Sequence, residues 1–191
     1  MKISNLLALS VTLSLPLLFG FQNQAQPTDR VNADAALISD FTKRVNEYVK
    51  IHKKALSAVH TLKPTDSPEA ISRHEKELAH QIQEAREDAK PGDIFSPEIA
   101  DVFRRLLIVS TKGTNGAKVQ QSLRRAEPVK VELRVNRAYP AGVPLQSTPP
   151  TLLANLPPLP KEVEYRIVGP NLILHDVEAN IIVDFVLNAM P

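Results

Sequence analysis

The sequence predicts an α+β protein with segregated halves, an N-terminal helical hairpin extended to three or four helices followed by a small antiparallel β-meander of three or four strands. Two observations carry this. Apolar residues recur every three or four positions up to about residue 125, whereas from Val129 they alternate every second residue. The compact turn Gly169-Pro170-Asn171 separates two of the later apolar segments, as hairpin partners require.

The predicted organisation is a leader over 1–25, a helical region over 26–128 and a β region over 129–191. Lys2 precedes an uncharged apolar run from Leu6 to Phe21, too short to span a bilayer comfortably and followed by polar QNQAQPTDR. That pattern predicts a secretory signal peptide, with an uncleaved membrane anchor as the alternative.

Helix one is expected over 33–62, its seam formed by Ile38, Phe41, Val45, Tyr48, Ala55, Val59 and Leu62, with His52 filling the one gap. Lys63-Pro64 stops it, because proline disfavours helical geometry in its predecessor. Ser67-Pro68-Glu69 and Ser96-Pro97-Glu98 open the next two helices: serine caps, proline tolerates the first helical position and glutamate suits the positive end of the dipole. A short helix is expected from Ala117 to Arg125. Val129 to Val135 reads as a half-buried strand. The proline-rich connection 140–160 holds one helical turn after Pro149-Pro150, and strands follow at Val163–Val168, Leu172–His175 and Ile181–Leu187.

Composition narrows the function. Of 191 residues 43% are hydrophobic, enough for a sizeable core, and 23 basic against 21 acidic residues leave a net charge of +2. The basic doublets alternate with acids and no aromatic residues interleave with them, so no nucleic-acid partner is expected. The absence of cysteine removes a lipidated leader, disulfides, thiolate metal sites and thiol nucleophiles.

Nucleophile-elbow and phosphate-loop signatures are missing. The run HEKELAH places His74 and His80 six apart, wrong for a zinc-protease helix. Glu77 and His80 have the spacing of a di-iron motif but lack the second copy such a site needs. These residues are expected on a solvated helix face. His60 is expected near a helix C-terminus, and His52 to be partly buried and bonded to a neighbour. PPLP at 157–160 reads as a rigid spacer.

The remaining candidate is LILHDVEANIIVDF at 172–185. Its His175, Asp176, Glu178 and Asp184 are suitable groups for metal binding or acid-base work. The favoured expectation is structural: Asp176 to Asn180 form a turn, and Asp184, facing away from Ile181, Val183 and Phe185, pairs with Arg166 or Arg134. The segment EYRIVGPNLILHDVEANIIVDFVLNAMP, with the preceding LLANLPPLP, resembles the ending of small secreted bacterial proteins of uncharacterised function. The resemblance implies export and no catalytic residue.

The expectation is therefore an exported, non-catalytic interaction or structural protein, periplasmic or secreted. It needs no cofactor and associates through the amphipathic first helix or a sheet edge formed by the final strand. Membrane attachment is expected only with an uncleaved leader. A metal-binding or hydrolytic envelope protein using the C-terminal cluster is the alternative.

Overall fold

A computed structural model describes residues 27–112, 116, 121, 132–139 and 150–190. The expected leader and the strand residues 129–131 lie outside the described residues, as does all but Gln121 of the helix expected at 117–125.

Three helices precede a four-stranded antiparallel sheet: α1 (Pro27–Ala58), α2 (Pro68–Ala85), α3 (Pro97–Lys112), β1 (Arg137–Ala138), the single turn α4 (Pro150–Leu153), β2 (Val163–Val168), β3 (Asn171–Asp176) and β4 (Ile181–Val186). Both serine caps form. Ser67 Oγ accepts from Ala70 N–H and Ser96 Oγ from Ile99 N–H, and each hydroxyl donates to the glutamate two residues on.

The sheet order is β1-β4-β3-β2. The final strand is therefore flanked on both sides, which corrects its expected place at an edge. β1 is also shorter and later than the strand expected up to Val135. Asn136 takes a left-handed φ of 60°, so Val135 and Asn136 form a turn and pairing begins only at Arg137. The Asn136 side-chain amide donates to the carbonyls of Gln83 and Arg86, tying that turn to the end of α2.

One face of the sheet carries Val163, Tyr165, Ile167, Leu172, Leu174 and Ile181 into a core shared with Phe41, Val45, Leu78, Ile82 and Phe103 from the helices. The two halves thus bury one common core. An aromatic cluster sits at its centre, with Phe41 4.8 Å from Phe103 and 5.3 Å from Phe95 between ring centroids, in the range where such pairs attract. The opposite face carries Val168, Ile173 and Ile182, packed with Tyr139, Leu133 and Phe185.

Strict alternation fails in β4. Leu174 faces Asp184 but His175 faces Ile182, so Val183 is an extra, bulged residue. The bulge shifts the phase: Asp184 and Val186 join Ile181 on the helix side, and Phe185 moves to the other side with Ile182. This overturns the expected grouping of Ile181, Val183 and Phe185 against Asp184. It also decides where Asp184 points.

Candidate functional site

The Asp176 side chain leaves the end of β3 toward the helices and is fully buried. An unpaired carboxylate there would cost several kcal/mol, so its partners matter. Oδ2 accepts from Tyr48 Oη at 2.6 Å and from His52 Nδ1 at 2.7 Å, both on α1 one helical turn apart. Oδ1 accepts from Glu178 N–H at 3.0 Å and Ala179 N–H at 2.8 Å, the local turn geometry that aspartate favours. Burial works against ionisation, but the hydrogen bonds from His52, Tyr48 and Ala179 outweigh it and hold the carboxyl below its ordinary range. Burial likewise opposes a charge on His52, and its bond to Asp176 with the nearby Asp176 and Glu178 charges prevails, raising its pKa. Burial, then Asp176, pushes the Tyr48 hydroxyl well above its usual value.

Glu178 extends this cluster to α2. Its Oε1 lies 3.2 Å from Nε2 of His74, and its Oε2 lies 3.4 Å from Nε2 of His52. The second contact lacks hydrogen-bond alignment and is an ion pair only when His52 is protonated, so His52 Nε2 is buried with no hydrogen-bond partner. His74 Nδ1 faces the carbonyl of His60 at 3.2 Å. His74 is thus buried and engaged, not on a solvated face as expected, because the β3–β4 turn folds over that side of α2. His60 lies two residues beyond the end of α1 at Ala58 and contributes its backbone carbonyl to His74. His80 stays exposed beside Glu84, as expected for a solvated face.

Asp184 is also fully buried but held differently. Oδ2 accepts from the N–H groups of Ile94 and Phe95, each at 2.8 Å, and Oδ1 from Gly92 N–H at 3.1 Å and Phe185 N–H at 2.8 Å. Gly92, at φ 94°, lets the loop before α3 turn its amides inward as an anion-binding nest. Burial pushes this carboxyl above its ordinary range despite those four amides. The expected ion pair with Arg166 or Arg134 is not formed. Arg166 bonds Glu164 on its own strand at 2.7 Å, and Arg134 bonds Glu132. The bulge aims Asp184 at the α3 entry loop, whereas Arg166 belongs to the opposite face. Arg86 lies near Asp184, its guanidinium 5.0 Å above the Tyr48 ring and 3.3 Å from the carbonyl of Val183.

The four residues singled out in the sequence therefore do not converge. Asp176 and Glu178 belong to the α1–α2 cluster, and Asp184 occupies the amide nest. His175 lies on the other face, between Glu164 Oε1 at 3.1 Å and Asn180 Oδ1 at 3.0 Å. Among the described residues no set of three or more histidine, aspartate or glutamate side chains is placed to hold a metal ion. Tyr48 and His74 were the members of the cluster missed by sequence reasoning. The signal for Tyr48 was its spacing of four from His52 on one seam, two polar-tipped residues that needed a buried partner.

A groove of about 580 Å³ lies elsewhere, between Leu153–Leu159 and β2. The PPLP segment is packed on its own sheet there, with the Pro157 carbonyl accepting from Tyr165 Oη at 3.0 Å.

The fold and site define a segregated α+β protein whose conspicuous polar residues close on one another. Compared with known proteins, the chain matches no family model, no curated protein and no solved structure.

Proposed function

We propose that the chain is an exported, non-catalytic protein, periplasmic or secreted, serving as a structural or interaction module. The observation that carries this reading is the saturation of its polar site. Each Asp176 oxygen accepts two protein donors and Glu178 is drawn to two histidines, so the carboxylates of this cluster are engaged by the fold itself. The apolar leader pattern and the resemblance of the C-terminal segment to small secreted bacterial proteins support export. Among the described residues no helix is long and apolar enough to cross a membrane.

The apolar seam of α1 is occupied by the core, through Phe41, Val45, Tyr48 and Ala55, and β4 is flanked on both sides. Association through the sheet passes to its outer strands, β1 and β2. Size-exclusion chromatography with crosslinking of the exported protein tests the reading: an oligomer or a retained envelope partner is expected. A strict monomer that retains nothing would remove it.

A further inference from the structure

The histidines that hold the β3–β4 turn share an unusual feature of hydrogen-bond accounting. His74 Nδ1 faces a backbone carbonyl, which only accepts, and its Nε2 faces a Glu178 carboxylate oxygen, which when ionised only accepts. His52 Nδ1 faces the Asp176 carboxylate at 2.7 Å and its Nε2, buried and unbonded, faces the other Glu178 oxygen at 3.4 Å. His175 repeats the arrangement on the far side. Its Nδ1 faces Glu164, and its Nε2 faces Asn180 Oδ1, whose own amide group donates to Glu75 Oε1 on α2. A neutral imidazole has one N–H and supplies only one of its two contacts; the doubly protonated ring supplies both.

We propose that the β3–β4 turn is a proton-dependent latch, fastened to α1 when His52 carries two N–H groups and holds Asp176 and Glu178 together, and loosened when His52 loses the second proton.

Glu178 suits the movable part of such a latch, since its side chain is 43% exposed while His52 is 1% exposed. Loss of the His52 proton from Nε2 leaves the Nδ1 bond to Asp176 in place. The ring then presents a lone pair to a carboxylate oxygen, which repels it. The groups facing the latch are Tyr48 from α1, His74 and Glu75 from α2, Asp176 from β3 and Glu178 in the turn, with Arg86 stacked behind Tyr48. The raised His52 value gives the sign. A base whose folded pKa is raised adds stability that is complete below its unfolded value and is lost as pH rises through the folded value. The latch is therefore closed in mild acid and opens toward alkaline pH. It goes beyond the proposed function, because it operates whether or not the protein has a partner or an activity.

The test uses the full chain. Long-range ¹⁵N spectra of the histidine rings report directly which nitrogens carry protons, and at about pH 5.5 both nitrogens of His52 are expected protonated. Hydrogen exchange of amides 177–180, corrected for intrinsic rates, is expected to be several-fold faster at about pH 8.5 than at about pH 5.5, with the core of β3 unchanged. Glu178→Gln, at a half-exposed position, is expected to fold and to remove most of that pH dependence. A single neutral tautomer for His52 at about pH 5.5 would overturn the proposal, as would a pH dependence at 177–180 that survives intact in Glu178→Gln.

Discussion

Two carboxylates, Asp176 and Asp184, sit fully buried near opposite ends of the β3–β4 hairpin, each accepting four hydrogen bonds, and they are stabilised by opposite means. Asp176 is held half by side chains that themselves titrate, Tyr48 and His52. Asp184 is held wholly by backbone N–H groups. At Asp176 burial is outweighed by hydrogen bonds from His52, Tyr48 and Ala179, and the carboxyl is drawn below its ordinary range; at Asp184 burial prevails over four backbone amides. The first site can respond to pH through its partners. The second answers to pH only through its own protonation.

The largest expected effect breaks the second site. Asp184→Ala strands the buried amides of Ile94 and Phe95 at the entry to α3, and about 4 kcal/mol of stability should be lost in urea unfolding. A loss below about 1 kcal/mol would mean that those amides find other partners. Asp176→Asn keeps the shape but turns an amide group toward donors, and about 2–3 kcal/mol is expected from the same measurement.

The charge at Asp176 has a further consequence. Its folded pKa is lowered, so its contribution is present above the ordinary carboxyl range and fades as pH falls through the folded value; Asp176→Asn should flatten that acid limb. Asp184 carries the opposite sign. Its burial penalty is felt at higher pH and is relieved as pH falls through its raised value. Carboxyl ¹³C titration should accordingly find Asp176 below and Asp184 above the ordinary range, and the reverse order would sink the comparison.

Smaller changes sharpen it. Gly92→Ala meets no steric obstacle but must adopt a φ of 94°, which should cost about 1 kcal/mol and act only through the amide nest. Tyr48→Phe removes one donor of four from Asp176 without altering packing, so about 1 kcal/mol is expected in urea, with the acid limb shifted upward.

Much of the local structure was legible. Both Ser-Pro-Glu starts cap as expected, because a cap needs only its own neighbours. The strand Val163–Val168 has the expected bounds, and the β3–β4 turn covers 177–180 of the expected 176–180, with Asp176 ending β3 and Asn180 taking the left-handed φ of 50° that asparagine tolerates. The site was legible only in part. His52 stood out as polar in an apolar seam, yet its partner Asp176 lies 124 residues away, and no local pattern joins them. His74 looked solvated because α2, taken alone, gives no sign of the turn that covers it.

The sequence by itself determined the class of fold, the division into helical and β halves and the turn chemistry at Gly169, Asn180 and the serine caps, since periodicity and backbone preference act over a few residues. Tertiary structure decided the rest. The bulge at Val183 turned Asp184 from a suspected partner of Arg166 into the occupant of an amide nest, and the docking of α1 and α2 on the β3–β4 turn made one cluster of Tyr48, His52, His74, Asp176 and Glu178. A one-residue change of register reverses which face a side chain occupies, and burial then obliges each charge to take whatever donors that face presents.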